Sequence, residues 1–523
     1  MARSKFITAA EAAALIPDGA VVGLAGMGLS GWPEEIACAI RDRFRETGHP
    51  RNLNIKQGSA MGDWRERGLT RLGEAGEGLV TKWTGAHIGS AFTLNKLAVE
   101  NKIQTHCLPQ GIIVNLWREI GAGRPGLLSK VGLGTFVDPR LEGGKMNECT
   151  TEDLVELVEF GGEEYLFYKG FKPDVALIRG TVGDENGNIT FSRESVLNEG
   201  LAVATAVHNS GGIVIVQVEF LAKAGTLNPK DVKIPGIMVD YVVQATDKGA
   251  CWQTEGVYYE PAFNGDIKKP MESIEPLPFG EKKVITRRCA MELNKGDIVN
   301  LGVGIPAMMG RVLAEESVFE DVIMTTESGM VGGVPSELPN FGSAYNLEAT
   351  MVHGDMFDFI DGGGLDVTCL GIGEADEEGN LNVSKFGKAL TGPGGFINIT
   401  KSTPKIIFCG TFMGKAKIKP GNGKIEIIEE GKIKKFKKHV QQVTFAGQCV
   451  SEEQEVLYVT ERCVFKLING KMTLIEIAPG IDLEKDILVN MEFTPAIAKE
   501  LKLMPAEIFN EEWGGLKEYI ENK

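Results

Sequence analysis

The chain has 523 residues, of which 43% are hydrophobic and 24% charged, as in ordinary globular proteins. This composition excludes a disordered, collagen-like or disulfide-stapled protein, and at roughly 150 residues per domain the length predicts about two to four domains. The formal net charge of −16 disfavours general binding to a phosphate backbone, so nucleic acid is not an expected partner.

The nine cysteines are scattered and none forms a C-x-x-C pair, which is typical of reduced thiols in the cytoplasm. The N-terminus shows no evident signal peptide, and no apolar run approaches the ~18 residues that a membrane span needs. We therefore expect a cytoplasmic protein without a membrane partner. No histidine or cysteine spacing indicates a metal site, and the six histidines are expected to be structural.

The first elements in chain order predict a parallel α/β unit. Residues 19–26 read as a short buried strand that enters a glycine loop, residues 33–44 as an amphipathic helix, and residues 53–56 as a second strand. The loop, residues 26–31, fits G-x-G-x-x-G, which leaves an NAD-linked oxidoreductase as one alternative. The acidic residue that should end the second strand is absent, because Gln57 and Gly58 follow it.

An internal repeat then organises the chain. Residues 19–24 resemble residues 296–301, which lie 277 positions later, and Asp174-Val175 resembles Asp366-Val367, 192 positions later. The same offset of 192 relates Asp184-Glu185 and Gly187-Asn188 to their later counterparts. We therefore predict two similar open α/β domains with largely parallel sheets, fused in one chain. Their expected bounds are 1–265 and 283–523, joined by a proline-rich linker at 266–282.

The second half contains the segments most suggestive of chemistry. Residues 322–329 read as a buried strand that ends in Glu327, which would place this carboxylate at the carboxyl end of a parallel strand, where open α/β sheets bind ligands. A glutamate there can act as a nucleophile or a general base, or it can be an ordinary surface residue. Glycine N–H groups at 392–395 can converge on an oxyanion or simply form a wide turn. We predict turns at 353–355 and 361–364.

Several of these segments together resemble the class I coenzyme A transferases, most closely the fused propionate (acetate) CoA-transferase type. The resemblance spans nearly the whole chain. It is carried by Gly26-Met27-Gly28 with Pro33-Glu34, Pro109-Gln110-Gly111, Asn300-Leu301-Gly302-Val303-Gly304, Glu327-Ser328-Gly329 and Gly392-Pro393-Gly394-Gly395.

The resemblance implies a short-chain acyl-CoA:carboxylate CoA-transferase that works through a glutamyl-CoA thioester. Glu327 matches the family's nucleophile, while Gln110 and Asn300 match polar residues that line its active site. Backbone N–H groups of Gly394 and Gly395 match the family's glycine loop and are candidates for an oxyanion site. The candidates for giving the CoA arm access to the backbone are Gly26, Gly28, Gly302 and Gly304.

The resemblance also implies partners and a quaternary state. Acyl-CoA and small carboxylic acids would be the substrates, CoA would be a co-substrate, and no cofactor would be bound permanently. The chain would form a homo-oligomer. The alternatives that stay open are an acyl-CoA hydrolase, the NAD-linked oxidoreductase and a metabolite-binding α/β sensor.

Overall fold

The computed structural model of the protein describes residues 5–522. The strands of the first half are β1 (Phe6–Ile7), β2 (Val21–Leu24), β3 (Leu53–Gln57), β4 (Val80–Gly85), β5 (Gln104–Cys107), β6 (Gly126–Ser129), β7 (Val155–Phe160), β8 (Glu163–Lys169), β9 (Val175–Asp184), β10 (Ile189–Thr190), β11 (Ile213–Ala222), β12 (Val232–Ile234) and β13 (Tyr241–Gln244). Its helices are α1 (Ala9–Ala14), α2 (Glu34–Thr47), α3 (Thr70–Gly73), α4 (Phe92–Val99), α5 (Gln110–Gly121) and α6 (Gly200–Asn209).

The strands of the second half are β14 (Ile298–Leu301), β15 (Ile323–Thr325), β16 (Met330–Val331), β17 (Val334–Pro335), β18 (Ala344–Tyr345), β19 (Ala349–Thr350), β20 (Val367–Gly371), β21 (Glu374–Ala375), β22 (Leu381–Asn382), β23 (Lys385–Phe386), β24 (Ala389–Leu390), β25 (Lys405–Cys409), β26 (Met413–Gly414), β27 (Lys417–Gly421), β28 (Lys424–Glu429), β29 (Ile433–Lys434), β30 (Glu455–Val459), β31 (Cys463–Ile468), β32 (Lys471–Ile477) and β33 (Ala496–Leu503). Its helices are α7 (Glu281–Ala290), α8 (Met309–Glu315), α9 (His353–Asp361), α10 (Phe396–Ser402) and α11 (Leu516–Glu521).

Two ten-stranded sheets form the frame of the molecule, one in each half of the chain. The first sheet has the order β1-β13-β11-β9-β2-β3-β4-β5, all parallel, with β10 and β12 attached as antiparallel strands. The second has the order β19-β16-β15-β14-β20-β25-β30-β31-β32-β33, and its central strands from β15 to β30 are parallel. The prediction of two largely parallel α/β sheets in one chain is confirmed.

The sequence repeat corresponds to a repeat of strand order. The run β13-β11-β9-β2-β3 in the first sheet matches β30-β25-β20-β14-β15 in the second. A repeated contact supports the match, because the Asp174 carboxylate accepts from the Val21 N–H at 2.9 Å and the Asp366 carboxylate accepts from the Ile298 N–H at 2.8 Å. Each aspartate therefore links the start of one central strand, β2 or β14, to the residue just before the strand beside it, β9 or β20.

The core lies on both faces of the first sheet, as expected when helices cover a parallel sheet on each side. Along β9, Val175 and Leu177 pack into one apolar cluster, whereas Ala176 and Ile178 pack into the other. A third and larger cluster surrounds the second sheet. No helix within residues 5–522 combines the length and the apolar character that a membrane crossing requires.

Candidate active site

Glu327 lies two residues beyond the carboxyl end of β15, whose neighbour β14 runs parallel to it. A tight turn holds it there, because Gly329 has a φ of +106° and a Cβ at that position would lie 2.1 Å from the Met351 carbonyl oxygen. The Ser328 hydroxyl donates to the Gly342 carbonyl at 2.6 Å and also bonds to the Thr326 hydroxyl at 2.7 Å. The predicted position of the carboxylate after a buried parallel strand is confirmed.

The Glu327 side chain is buried but borders a cavity of about 330 Å³. Burial raises the pKa of its carboxyl to about 7. A carboxyl with this pKa is partly ionised near neutral pH and poorly solvated, and both properties are typical of carboxyls that act as nucleophiles or general bases.

Both halves of the chain build the cavity. The Ile88 N–H donates to the Thr391 carbonyl at 2.8 Å, and the Gly394 N–H donates to the Ala86 carbonyl at 3.0 Å. These bonds join a loop of the first half to the glycine-rich segment of the second. The walls are largely apolar and include side chains from both halves: Met27, Trp64, Leu338, Phe341, Leu370 and Phe396.

The two glycines predicted to bind an oxyanion differ in what their N–H groups do. The Gly394 N–H is engaged by Ala86, whereas the Gly395 N–H has no acceptor among residues 5–522. Gly395 also lies against the carboxyl, since a Cβ there would be 3.4 Å from the Cδ of Glu327. Of the two glycines, Gly395 therefore combines an unengaged N–H with closeness to Glu327, whereas the Gly394 carbonyl accepts from the Gln110 N–H at 3.1 Å.

Gln110 begins α5 and lines the same cavity as Glu327. Its Nε2 lies 2.9 Å from Nε2 of His353, and Nδ1 of His353 lies 2.9 Å from Oε2 of Glu199. His353 and Glu199 are fully buried. The sequence did not single out either residue, and no motif marks them, because their contact joins positions 154 residues apart. The turn predicted at 353–355 is wrong, since His353 is the first residue of α9.

The residues of the Asn300 segment are not equally close to the cavity. Gly302 lines it, whereas Asn300 lies in β14, is fully buried and is not among the lining residues. Neither amide atom of Asn300 has a hydrogen-bond partner within the described chain. Gly304 lies on the exposed loop that follows, with a φ of +88° and no atom within 4 Å of a Cβ built there.

Two glycines in the loop of the first half, Gly26 and Gly28, differ in their position relative to the cavity. Gly28 lines the cavity, and a Cβ on it would lie 3.0 Å from Oε1 of Glu255. Gly26 supports the turn instead, because its φ is +139° and a Cβ would lie 2.3 Å from the Ser30 carbonyl oxygen. Only the second of these glycines therefore faces a ligand-sized space.

Several N–H groups of this loop and of the helix after it, which a dinucleotide pyrophosphate would need as donors, are already engaged. The Gly31 N–H donates to Glu194 at 3.2 Å, and the N–H groups of Glu35 and Ile36, in the first turn of α2, both donate to Oε1 of Gln217. The glycines of this G-x-G-x-x-G segment therefore form a tight turn and part of the cavity wall. This arrangement disfavours the NAD-linked oxidoreductase alternative.

Glu255 is a second carboxyl on the cavity wall, and sequence reasoning missed it as well. Burial, with a smaller contribution from the Asp63 charge, raises the pKa of Glu255 to about 8, while Arg67 opposes this shift. No side chain or N–H within residues 5–522 bonds to its carboxyl oxygens; only its backbone carbonyl accepts, from Arg67 at 2.8 Å. Near neutral pH it presents a mostly neutral group that can donate a hydrogen bond.

Three cysteine side chains elsewhere in the molecule lie close enough together to hold a metal ion. The Sγ atoms of Cys289, Cys369 and Cys409 lie within 4.8 Å of one another in the core of the second half, and all three residues are buried. None of them lines the cavity beside Glu327. The cluster is thus separate from the candidate active site.

Comparison with known proteins identifies the family. The sequence profile described as "Coenzyme A transferase" matches residues 6–245. The chain is 66% identical to the caffeate CoA-transferase of Acetobacterium woodii over 98% of its own length and 99% of the relative. The chain belongs to the coenzyme A transferase family. This CoA-transferase is also 42% identical to the acetate CoA-transferase YdiF of Escherichia coli K12, over 97% of its length and 95% of the relative.

A solved structure extends the comparison to the site chemistry. The acyl-CoA transferase YdiF of E. coli O157:H7, in a structure described as a thioester complex with CoA, matches with a TM-score of 0.91 and 41% identity. The match covers 98% of this chain and 97% of the solved one. The protein is thus an enzyme that transfers CoA, and a glutamyl-CoA thioester is consistent with this relative.

Proposed function

We propose that this CoA-transferase exchanges CoA between carboxylic acids with Glu327 as its nucleophile. The observation that carries the proposal is the position of a buried carboxyl at the wall of an apolar cavity, beside the unengaged N–H of Gly395. A nucleophile and a fixed oxyanion donor are the two parts that acyl transfer requires.

The first half-reaction consists of two attacks. The Glu327 carboxylate attacks the acyl-CoA carbonyl, the C–S bond breaks, and a mixed anhydride and CoA thiolate form. The thiolate then attacks the Glu327 carbonyl carbon, which releases the acid as its carboxylate and leaves a glutamyl-CoA thioester. An acceptor carboxylate reverses both steps and leaves as the new acyl-CoA.

Each attack places negative charge on an oxygen next to Glu327. We assign the Gly395 N–H and the Gln110 side-chain amide as its donors, because both border the carboxyl's cavity. Gly28 and Gly302 form wall positions where the absence of a side chain leaves room for the pantetheine arm. The unreacting parts of CoA supply binding energy that offsets the cost of forming the anhydride.

We propose that the acids are apolar monocarboxylates. The relatives are named for acetate and for caffeate, and the cavity is of a size that accepts drug-sized ligands, so both a short chain and an arylpropenoyl group are candidates. The apolar wall disfavours a second carboxylate on the substrate, because its charge would be desolvated without a cation.

Mass spectrometry after incubation with propionyl-CoA tests the nucleophile. We expect a CoA adduct on the peptide that contains Glu327, and loss of both adduct and exchange in Glu327→Gln by at least about 10⁴-fold. Exchange at the normal rate in that variant would assign the chemistry to another residue. Thiol release without an acceptor acid would instead favour the hydrolase.

A panel of acceptors tests the acid class. With propionyl-CoA as donor, we expect acetate and caffeate to be converted and succinate to be converted much more slowly. Efficient use of succinate would contradict the monocarboxylate proposal while leaving the role of Glu327 intact.

Four further properties remain proposals. We propose that residues 1–265 and 283–523 are the two structural units, that 266–282 connects them, that the enzyme is a homo-oligomer of the cytoplasm, and that CoA enters only as a co-substrate. The two large sheets use strands on either side of the proposed connection. Limited proteolysis and light scattering test the division and the assembly.

A further inference from the structure

Three polar side chains form a continuous buried chain that ends beside the nucleophile. Glu199 lies next to His353, His353 lies next to Gln110, and both contacts measure 2.9 Å. The side chains of His353 and Glu199 are 0% and 1% exposed. Neither lines the cavity, so neither can touch a substrate there.

The atoms in these contacts determine where the protons lie. An amide nitrogen can only donate, so Nε2 of Gln110 donates to Nε2 of His353, which must then be unprotonated. The imidazole proton therefore lies on Nδ1 and is donated to Oε2 of Glu199. A carboxylate at position 199 thus selects the tautomer that can accept from Gln110.

Among residues 5–522, the side chains of Gln110, His353 and Glu199 make no other hydrogen bonds. Oε1 of Glu199 has no hydrogen bond within the described residues, and Gly58 leaves the space for it, since a Cβ there would lie 2.6 Å away. Burying a carboxylate is costly, and the fold does not use this one for a salt bridge to lysine or arginine. A cost of this kind is often retained at functional sites.

We propose that Glu199 and His353 are positioning residues that hold the Gln110 amide with its nitrogen toward the imidazole, leaving its second N–H for the oxyanion formed at Glu327. The inference rests on the proposed function. Without the carboxylate, the imidazole can carry its proton on Nε2 instead. That proton would face the Gln110 nitrogen, and the amide would rotate to present its oxygen.

A double-mutant cycle tests this role, because residues that act through Gln110 lose their effect when its amide is gone. We expect Gln110→Ala to lower kcat by about 10²–10³-fold. Glu199→Gln should lower kcat by about tenfold or more with KM for acyl-CoA within about threefold, since the donor acts mainly in the transition state. The double variant should be within about twofold of Gln110→Ala. Independent, multiplying effects would overturn the proposal.

Two substitutions of the histidine provide a second test that does not need Glu199→Gln to fold. A glutamine amide can reach the place of Nε2, whereas an asparagine amide reaches only the place of Nδ1. His353→Gln should therefore retain more kcat than His353→Asn. Equal losses in the two variants would indicate a purely structural histidine.

His106→Asn is the matched control, since His106 is also buried and bonded through Nε2, to the Glu152 carbonyl at 2.9 Å, but is not among the residues that line the cavity. We expect its kcat to be unchanged. Glu327→Gln separates the two proposals. If exchange survives in that variant, the proposed function fails; if it is lost while Glu199→Gln behaves like the wild type, only the positioning role fails.

Discussion

The α-carbon of Gly395 lies so close to the carboxyl of Glu327 that a Cβ at position 395 would be 3.4 Å from the Glu327 Cδ. The same Cβ would lie 3.2 Å from both Phe357 and Ile399, so these neighbours would have to shift by a few tenths of an ångström. The backbone itself does not require glycine, because φ is −79°. Limited space beside the Glu327 carboxyl, rather than backbone conformation, therefore accounts for the missing side chain.

Gly395→Ala should consequently reduce CoA exchange while the protein remains folded. We expect a loss of about tenfold or more, because a displacement of under 1 Å at the reacting carboxyl is enough. Steady-state exchange and thermal unfolding measure the two effects. Gly421→Ala is the control, since no atom lies within 4 Å of a Cβ there. A fully active Gly395→Ala enzyme would contradict this role.

The pH dependence of the free enzyme should follow the ionisation of Glu327, whose pKa is raised to about 7 by burial. Only the carboxylate is nucleophilic, so kcat/KM for acyl-CoA should rise with pH up to about 7 and then level off. Below that pH we expect about a tenfold loss per unit. Samples held at low pH and assayed at pH 8 control for inactivation, and a flat profile down to pH 5 would count against the assignment.

Asn300 allows a test that separates stability from activity. An unpaired buried amide costs about 1–3 kcal/mol, so Asn300→Leu should leave the free energy of unfolding unchanged or raise it by about 1 kcal/mol. If the amide serves the reaction, exchange should still fall by about tenfold or more. Denaturant unfolding and exchange kinetics measure the two quantities.

Asn382→Leu is the contrasting variant. Its Nδ2 donates to Glu374 at 2.8 Å and to the Lys385 carbonyl at 2.6 Å, so we expect a loss of about 2 kcal/mol or more. An equal loss of stability in Asn300→Leu would show that Asn300 is structural.

Glu255 should make the protein less stable as pH rises. Its pKa is about 8 in the folded state, against 4.5 for an unperturbed glutamate, so the folded state holds the proton after the unfolded state has released it. The free energy of unfolding should therefore fall between about pH 5 and 8, by up to about 1.4 kcal/mol per pH unit.

Glu255→Gln should remove that part of the slope. Urea unfolding across the pH range measures it, with the exposed Glu453→Gln as a control that keeps the wild-type slope. Glu327 also has a raised pKa and contributes to the slope in both variants, so the difference between them reports on Glu255. Identical slopes would mean that Glu255 is ionised throughout.

The two-sheet frame of the molecule could be predicted from the sequence because the repeat is visible as constant spacings between matching segments. The offsets of 277 and 192 correspond to the matched strands β2 with β14 and β9 with β20, and the strand before Glu327 was evident from its apolar run. Carboxyl ends of parallel strands share one edge of a sheet, which made the position of this glutamate predictable.

The finer composition of the site was not predictable, because it depends on contacts between distant parts of the chain. His353 meets Glu199 across 154 positions and Gln110 across 243, and no motif surrounds His353 or Glu199. The occupied N–H of Gly394 depends on Ala86, and periodicity does not reveal such a contact. A pair of glycines can be recognised in a sequence, but the sequence does not reveal which of their two N–H groups lacks an acceptor.

Gln110 and Glu199 come from the first half of the chain, whereas Glu327, His353 and Gly395 come from the second. Severing the polypeptide between the halves would therefore place the proposed nucleophile and the residues proposed to orient Gln110 on different fragments. We expect two fragments expressed from separate genes to be inactive alone and to regain activity only when they associate. A single chain therefore ensures that the two halves are always made in equal amounts.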